Sequence, residues 1–261
     1  MAISGPDSTH IDLAERRLTI DGVAGRAYPD GMCGRFAMDK ETDDLIVEFM
    51  AVTGQDAEDW TPSWNVAPTD QVPVVREHDG RRELITVRWG AVPPSSPTFG
   101  GGKPIINARI ETVVTNGLFR GPFESHRCIV PALGYYEWQL QDGAKQPYFI
   151  RNPGADLAMA GIIRPWADKT KDRDDPHRWR LSMAIITLDA HVAPGEVHDR
   201  MPAMLAPDNF DDWLGGHLDT DELLALVDRS SLEVANDLEF FPVSKAVNSV
   251  KNNGAELVEP I

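Results

Sequence analysis

The sequence predicts an α+β fold whose core is a mostly antiparallel β-sheet or barrel with flanking helices. Short apolar segments with strand-like alternation predominate, a few helical segments are interspersed among them, and regular βαβ alternation does not occur. The chain has 261 residues and 42% hydrophobic content, which is enough for a sizeable core. Neither an internal repeat nor a linker interrupts the chain after the leader, so residues 32–261 are predicted to form one domain.

The first 31 residues lack both a sustained periodicity and the apolar stretch of a secretory signal. Residues 1–31 are therefore predicted to be a leader that is disordered or removed, or that results from a start assigned upstream of the true one. No run of about 18 apolar residues occurs, so no membrane span is predicted. We expect a cytoplasmic protein and, by default, a monomer.

The first half of the remaining chain predicts a helix, several strands and a long loop. Residues 39–54, DKETDDLIVEFMAVTG, begin with acidic residues and have apolar residues at helical spacing, which predicts a helix ending at Gly54. The segment TPSWNVAPTDQVPVVRE predicts a loop followed by a strand, and RRELITVRWGAVP alternates as a strand does. The Gly-, Pro- and Ser-rich residues 93–103 predict a loop long enough for a functional role. An extended segment then leads into a helix predicted around residues 111–120.

The second half predicts further strands followed by helices. The segments RCIVPALGYYEWQL and PYFIR, joined by DGAKQ, predict a hairpin. The apolar segments LAMAGIIRPW and WRLSMAIITLDA predict two more strands, separated by a charged turn. The segments DNFDDWLGG and DTDELLALVDRS predict short helices with acidic residues at their N-termini.

Composition and motif content exclude several classes of site. Two cysteines, Cys33 and Cys128, are too few for a disulfide framework or a cysteine zinc site, and Cys128 lies in an apolar run typical of the core. The phosphate-loop, nucleophile-elbow, HExxH and CxxC patterns are absent, so neither a metal nor a cofactor is predicted. The formal net charge of −16, taken alone, argues against nucleic-acid binding, because phosphates are bound by cations.

Cys33 stands in an unusual context, DGMCGRFAMD at residues 30–39. If the chain began at Met32, removal of that methionine would make Cys33 the N-terminal residue. Its amine would have a pKa near 8 and its thiol a pKa near 8.5. Such a 1,2-aminothiol condenses with an aldehyde to an imine, and the thiol then closes a five-membered thiazolidine.

Three further polar residues lie where apolar or turn residues are expected. Asn107 is either a turn or cap residue or a functional one, and on a strand it would share a face with Arg109. Glu137, inside the aromatic segment GYYEW, either points to solvent or is buried as a carboxyl group with a raised pKa that can act as an acid. His198 in HDRMP is either a solvated or capping histidine or an acid–base group at a strand exit.

Taken together, the motifs resemble one family. MCGRF, NVAP, RWG, INARIET, GYYEW, PYFI, AGI, HDRMP and PVSKAVNSVKNNGAEL follow one another in the order found in the SOS response-associated peptidase (SRAP) proteins, from Cys33 to about Leu257. The resemblance implies an SRAP-like fold. It also implies a protein that shields abasic sites in single-stranded DNA, associates with the nucleoid when bound, and forms a thiazolidine crosslink through the cysteine that follows the initiator methionine.

The resemblance also implies roles for individual residues. The catalytic residues would be Cys33, Asn107, Glu137 and His198. Asn107 would position the cysteine, Glu137 would transfer protons in sugar ring opening and imine formation, and His198 would assist proton transfer. Phosphates would be contacted by Arg35, Arg109 and Arg200, while Trp89 and the 93–103 loop would flank the base beside the lesion.

The leader departs from the family pattern, because with residues 1–31 attached Cys33 has only an amide nitrogen. Three explanations are open. Met32 is the true start of the protein, a cleavage before Cys33 removes the leader, or the leader stays and the thiol acts without a free amine. A thiol peptidase is the alternative function, with Cys33 as nucleophile, His198 as base and Asn107 or Glu137 orienting the base. A third reading is a single-strand-binding module whose cysteine is inert.

Overall fold

A computed structural model of the chain describes residues 34–54 and 60–261. The predicted leader and Cys33 lie outside the described residues. The strands are β1 Phe36–Met38, β2 Val52–Thr53, β3 Ser63–Val66, β4 Gln71–His78, β5 Arg81–Trp89, β6 Asn107–Arg109, β7 Arg127–Ala132, β8 Gly134–Gln141, β9 Ala144–Arg151, β10 Leu157–Ala167, β11 Trp179–Asp189, β12 Arg200–Pro202 and β13 Glu239–Pro242. The helices are α1 Thr42–Glu48, α2 Ile110–Val113, α3 Arg120–Ser125, α4 Val192–Val197, α5 Phe210–Leu214 and α6 Thr220–Ala235. Single 3₁₀ turns occur at Pro207–Asn209, Lys245–Asn248 and Ala255–Val258.

Five strands close into a barrel in the order β11-β10-β7-β4-β5, because β5 pairs back onto β11. The closing pair is parallel, with Arg88 beside Ser182, whereas the other four pairs are antiparallel. β12 and β6 extend β11 towards its C-terminal end, antiparallel and parallel respectively. The predicted α+β class with a mostly antiparallel barrel core is confirmed.

The second sheet has the order β13-β9-β8-β1-β3 and is antiparallel throughout. The predicted hairpin is confirmed in part: β8 and β9 are joined at Asp142 and Gly143, whose φ angles of 48° and 79° are those of a tight hairpin turn. The first half of its predicted first arm is a separate strand, β7, which pairs with β10 and β4 in the barrel. A small apolar cluster that includes Tyr136 and Phe149 packs this sheet against the C-terminal 3₁₀ turns.

Two predicted helices differ in the structure. α1 ends at Glu48 instead of Gly54, because Met50 adopts a left-handed φ of 48° and the next residues pair as β2 with β5. Gly54 is required by packing, since a Cβ there would collide with Ile85. The helix predicted at 111–120 is two short helices, α2 and α3, because the Asn116 side chain accepts a hydrogen bond from the Leu118 N–H (2.9 Å) and starts a turn between them.

The acidic helix starts are confirmed most clearly at α6. Asp219 and Glu222 form a reciprocal capping box, and the helix continues to Ala235. Cys128 is a buried free thiol, as its apolar context predicts. Within the described ranges, no helix is both long and apolar enough to cross a membrane.

Candidate active site

The residues that lead into β1 contact β8 and the residue that precedes β6. Arg35 accepts a hydrogen bond through its carbonyl oxygen from the Tyr136 N–H (3.0 Å), and Phe36 is the register partner of Tyr135. This antiparallel register, continued by one more residue, puts Gly34 opposite Glu137. A Cβ on Gly34 would lie 3.8 Å from the Cδ1 atom of Ile106, which immediately precedes β6. The first described residue is therefore packed between the strands that carry two predicted site residues.

Glu137 is buried, with 1% of its surface exposed, so of the two sequence-based alternatives the buried one is correct. β8 is an inner strand, flanked by β1 and β9, and its first four residues are all buried. On the same strand face, Gln139 donates a hydrogen bond from Nε2 to the Glu196 carbonyl (2.8 Å) and so fixes the end of α4 against β8. A carboxyl group in such a setting is largely shielded from water.

His198 terminates α4 two residues after that anchor and is 6% exposed. Its Nδ1 lies 3.0 Å from the Arg200 backbone nitrogen, from whose N–H it accepts a hydrogen bond, and 3.0 Å from Asp199 Oδ1. Burial lowers the pKa of His198, and the neighbouring Asp199 carboxylate opposes this shift without cancelling it. The imidazole is therefore held in the neutral form, as a proton acceptor requires.

Asn107 begins β6 and pairs with Ile185 of β11. The preceding carbonyl, that of Ile106, accepts hydrogen bonds from the Ile185 N–H (3.0 Å) and from Trp89 Nε1 (3.1 Å). Asn107 is half-buried, whereas Arg109, two residues further along the strand, is exposed. β6 thus presents an amide near the start of β1 and a solvent-accessible cation beside it.

Arg35 is half-buried and already bonded on one side. Its Nη1 donates to Asn65 Oδ1 (2.5 Å) and to the Val247 carbonyl (2.8 Å), and burial lowers its pKa. Asn65 in turn donates to the carbonyls of Ser249 (3.0 Å) and Asn252 (2.8 Å). Asn65 was not recognised from the sequence as a site residue, although the NVAP motif contains it. Arg35 and Asn65 together tie β1 to the C-terminal segment.

Arg200 is buried and bound by carboxylates. Its guanidinium donates to Glu111 Oε1 (2.5 Å), to Asp189 Oδ1 (2.7 Å) and to the Thr187 carbonyl (2.8 Å). Only 8% of the residue is exposed. The phosphate contact predicted for Arg200 would require both ion pairs to break, so its described role is to fix β12 against α2 and β11.

Trp89 does not occupy the position predicted for it. The residue is fully buried (0% exposed), packs on Phe36 with ring centroids 5.1 Å apart, and donates Nε1–H to the Ile106 carbonyl. The alternation of β5 turns Ile85, Val87 and Trp89 inward, so no face of the indole is free for a base. The predicted stacking role is therefore corrected to a core role that supports β6.

The predicted 93–103 loop contains no helix or strand, and it holds a half-exposed aromatic residue that sequence reasoning passed over. The ring of Phe99 lies 5.7 Å from that of Trp166 and 3.9 Å from the guanidinium carbon of Arg180. A lone aromatic residue in a Gly- and Pro-rich loop was the available signal. In the parts of the chain that the structure describes, no three His, Cys, Asp or Glu side chains group as a metal site would need.

Comparison with known proteins identifies the family. Residues 32–250 match the family model described as SOS response associated peptidase (SRAP). The chain is 35% identical over 231 residues to the abasic site processing protein YoqW of Bacillus subtilis, covering 87% of this chain and 99% of that protein. It is 33% identical over 238 residues to the abasic site processing protein YedK of Escherichia coli, covering 88% and 100%. The abasic site processing protein HMCES of Gallus gallus is 32% identical over 239 residues, covering 77% and 67%.

Solved structures share the fold. A crystal structure of a protein from Bacteroides thetaiotaomicron superposes with a TM-score of 0.72 at 22% identity, covering 88% of this chain and all of that chain. A protein from Bordetella bronchiseptica superposes with a TM-score of 0.63 at 23% identity, covering 81% of this chain. The family match over residues 32–250 and the identity to full-length relatives lead to one conclusion: the chain belongs to the SRAP family.

Proposed function

We propose that this protein processes abasic sites in DNA, as the names of its relatives indicate for them, and that it does so by covalent capture of the lesion. Cys33, once it is the N-terminal residue, supplies an amine and a thiol. The substrate is the ring-opened sugar of an abasic site, whose C1′ is an aldehyde. A single strand presents this carbon without the cost of extruding the sugar from a stacked duplex.

The chemistry balances without a metal or cofactor. The amine adds to the aldehyde carbon, and loss of one water gives an imine. The thiol sulfur then adds to the imine carbon, and the nitrogen takes up the thiol proton to complete the thiazolidine. Ring opening requires a proton on the departing ring oxygen, and dehydration requires a proton on the departing hydroxyl. Glu137 is assigned both transfers, and neutral His198 is assigned the proton released from the amine.

One observation carries this proposal, namely the burial of Glu137 on β8, the strand that pairs with β1 two residues after Gly34. Cys33 is the residue that precedes Gly34 in the chain. Desolvation favours the protonated form of a carboxyl, which suits a proton donor near neutral pH. The half-buried Asn107, which follows Ile106 on the other side of Gly34, is suited to orient the amine.

The test compares three proteins on a labelled single strand that contains one abasic site. They are the chain started at Met32 with that methionine removed, its Cys33→Ser variant, and the full chain with residues 1–31 retained. We expect a denaturant-resistant adduct from the first alone, with the summed mass of protein and oligonucleotide less one water. Equal adduct formation by the Cys33→Ser variant would refute the proposal.

The full chain separates covalent capture from the peptidase alternative. A thiol peptidase tolerates an internal Cys33, whereas imine formation does not, because an amide nitrogen is not a competent nucleophile. The family description and the neutral, buried His198 are the observations in favour of a peptidase. Peptide hydrolysis by the full chain that is lost in Cys33→Ser, together with no adduct from the Met32 chain, would replace the proposal with that function. The intact mass of the protein from its native cells then decides which N-terminus exists there.

A further inference from the structure

Three arginines lie side by side on the outer surface of the barrel, apart from the predicted site residues. Ser182 of β11 is the register partner of Arg164 on β10 and of Arg88 on β5. Arg180 precedes Ser182 by two residues and therefore shares its strand face. β5 alternates, so Arg88 projects away from the core-facing Val87 and Trp89. Arg88, Arg164 and Arg180 are called the arginine face below.

The arginine face is not neutralised by carboxylates. Other arginines of the chain are paired, as Arg76 is with Glu83 (3.2 Å) and Arg151 with Glu239 (2.9 Å). Across residues 34–54 and 60–261, by contrast, no carboxylate lies within ion-pair distance of any arginine of the face. The nearby Asp168 carboxylate is occupied by hydrogen bonds from the Thr170 hydroxyl (2.6 Å) and N–H (3.0 Å). Within the described ranges, the three adjacent cations of the face therefore form no ion pair, and Arg180 acts on Asp168 only at longer range.

Like charges on the face act on each other. Burial lowers the pKa of Arg88, and the positive charge of Arg180 lowers it further. Burial also lowers the pKa of Arg164, whose Nε has no hydrogen-bond partner in the described part of the chain. Arg180 itself is exposed. Mutual repulsion in a partly buried setting is relieved when an anion binds, so the face is poised for a polyanionic ligand.

The 93–103 loop holds the face in place. Trp166 Nε1 donates to the Ser96 carbonyl (3.0 Å), and Phe99 lies beneath Arg180. Arg88 donates to the Gly90 carbonyl (2.9 Å). A Cβ at Gly100 would lie 3.0 Å from Arg88 Nε, and the residue has a φ of 81°, so glycine is needed there for close approach and for the backbone conformation. Arginines ordered in this way lose little further conformational entropy on binding.

The face is close to the proposed reaction centre along the chain of β11. Ser182 on this strand is the register partner of Arg88 and Arg164, and Ile185 is the register partner of Asn107. Three strand residues span roughly 10 Å. Because an odd number of residues separates the two positions, they lie on opposite faces of β11, so a strand whose abasic sugar lies at the reaction centre needs several more nucleotides to reach the face.

We propose that the arginine face binds backbone phosphates of the single DNA strand, several nucleotides from the reacting sugar. The stated distance between the face and the lesion depends on the proposed function being correct. Phosphate binding by the face does not depend on it. A strand held there would be retained before capture and kept in register during it, while Cys33, Glu137 and His198 act only on the sugar.

The test measures equilibrium binding of an undamaged 15-nucleotide single strand at several salt concentrations. The Arg164→Gln/Arg180→Gln protein is compared with Arg81→Gln/Arg229→Gln, which removes two exposed arginines elsewhere and leaves the same net charge. Loss of two phosphate contacts should reduce the slope of log K against log salt by about 1.4, at about 0.7 per phosphate. The control pair should keep the wild-type slope.

Other results would overturn the proposal. Equal slopes in the two double variants, or no binding of the undamaged strand by the wild type, exclude the arginine face as a DNA contact. Face-dependent binding of pyrophosphate with an unchanged DNA slope would assign the face to a small anion. An abasic trinucleotide, too short to reach the face, should crosslink at the wild-type rate in Arg164→Gln/Arg180→Gln, which also verifies folding. If no protein crosslinks at all, the proposed function fails while the slope measurement still decides this inference.

Discussion

Replacing Trp89 with phenylalanine separates the role that its sequence context suggests from the role that the structure gives it. The indole is fully buried against Phe36, and its Nε1–H is one of two donors to the Ile106 carbonyl. Trp89→Phe removes that donor, which costs about 1–2 kcal/mol. The lost ring volume leaves a cavity that costs about 1–2 kcal/mol more. We therefore expect a loss of about 2–4 kcal/mol, or roughly 4–16 °C in Tm for a domain of this size.

Thermal unfolding and binding of undamaged single strands are measured on the same Trp89→Phe preparation. The affinity and its salt slope should remain within about twofold of wild type, because the side chain has no exposed surface with which to stack on a base. An unchanged Tm together with a tenfold loss of affinity would refute the core assignment. It would mean that the indole leaves the core to bind DNA.

Three more outcomes follow from particular charged groups. Arg127→Met should cost about 3–5 kcal/mol in unfolding experiments, because the buried guanidinium donates to backbone carbonyls at the ends of α3 and α5; the exposed Arg229→Met should change stability by less than about 0.5 kcal/mol. Burial would raise the pKa of Glu111, but hydrogen bonds from Arg200 outweigh it and hold the pKa below its ordinary value of 4.5. Glu111 therefore stabilises the fold above that value and loses this effect as pH falls below it, so Glu111→Gln should reduce stability at pH 6 more than at pH 3 in urea titrations. Glu137→Gln should slow crosslinking about 10²- to 10⁴-fold in timed gels and leave affinity for undamaged strands unchanged.

Local elements were predictable because their signals are local. The Asp142–Gly143 turn requires two positive φ angles, and Asp-Gly is a pair that tolerates them. The α6 start is specified by residues three apart, Asp219 and Glu222. Barrel closure has no such signal, because the parallel contact of Arg88 with Ser182 joins residues 94 positions apart after several intervening strands. Only the assembled fold determines that pairing.

The site was predictable by residue type and less so by environment. Asn107, Glu137 and His198 were selected from the sequence, and the structure describes Asn107 at the start of β6, Glu137 on β8 and His198 at the end of α4, which Gln139 anchors to β8. The burial of Glu137 was not predictable, because β8 is covered on both faces and alternation no longer separates inside from outside. The ion pairing of Arg200 was not predictable either, since its partner Glu111 is 89 residues away in the sequence.

The negative charge of the chain is compatible with the proposed binding of DNA once the charges are sorted by partner. The net charge of −16 does not show which cations can contact a phosphate. Arg200 cannot do so freely, because it is already paired with Glu111 and Asp189. Arg109 and the arginine face, by contrast, form no such ion pairs in the described ranges, so their charges are available to a phosphate. Exposed acidic residues more than about 10 Å away are largely screened at 0.1 M salt, whereas a phosphate in contact with a guanidinium is not. The net charge of the protein therefore affects how often it meets a DNA strand, whereas the local cations determine whether the strand stays bound.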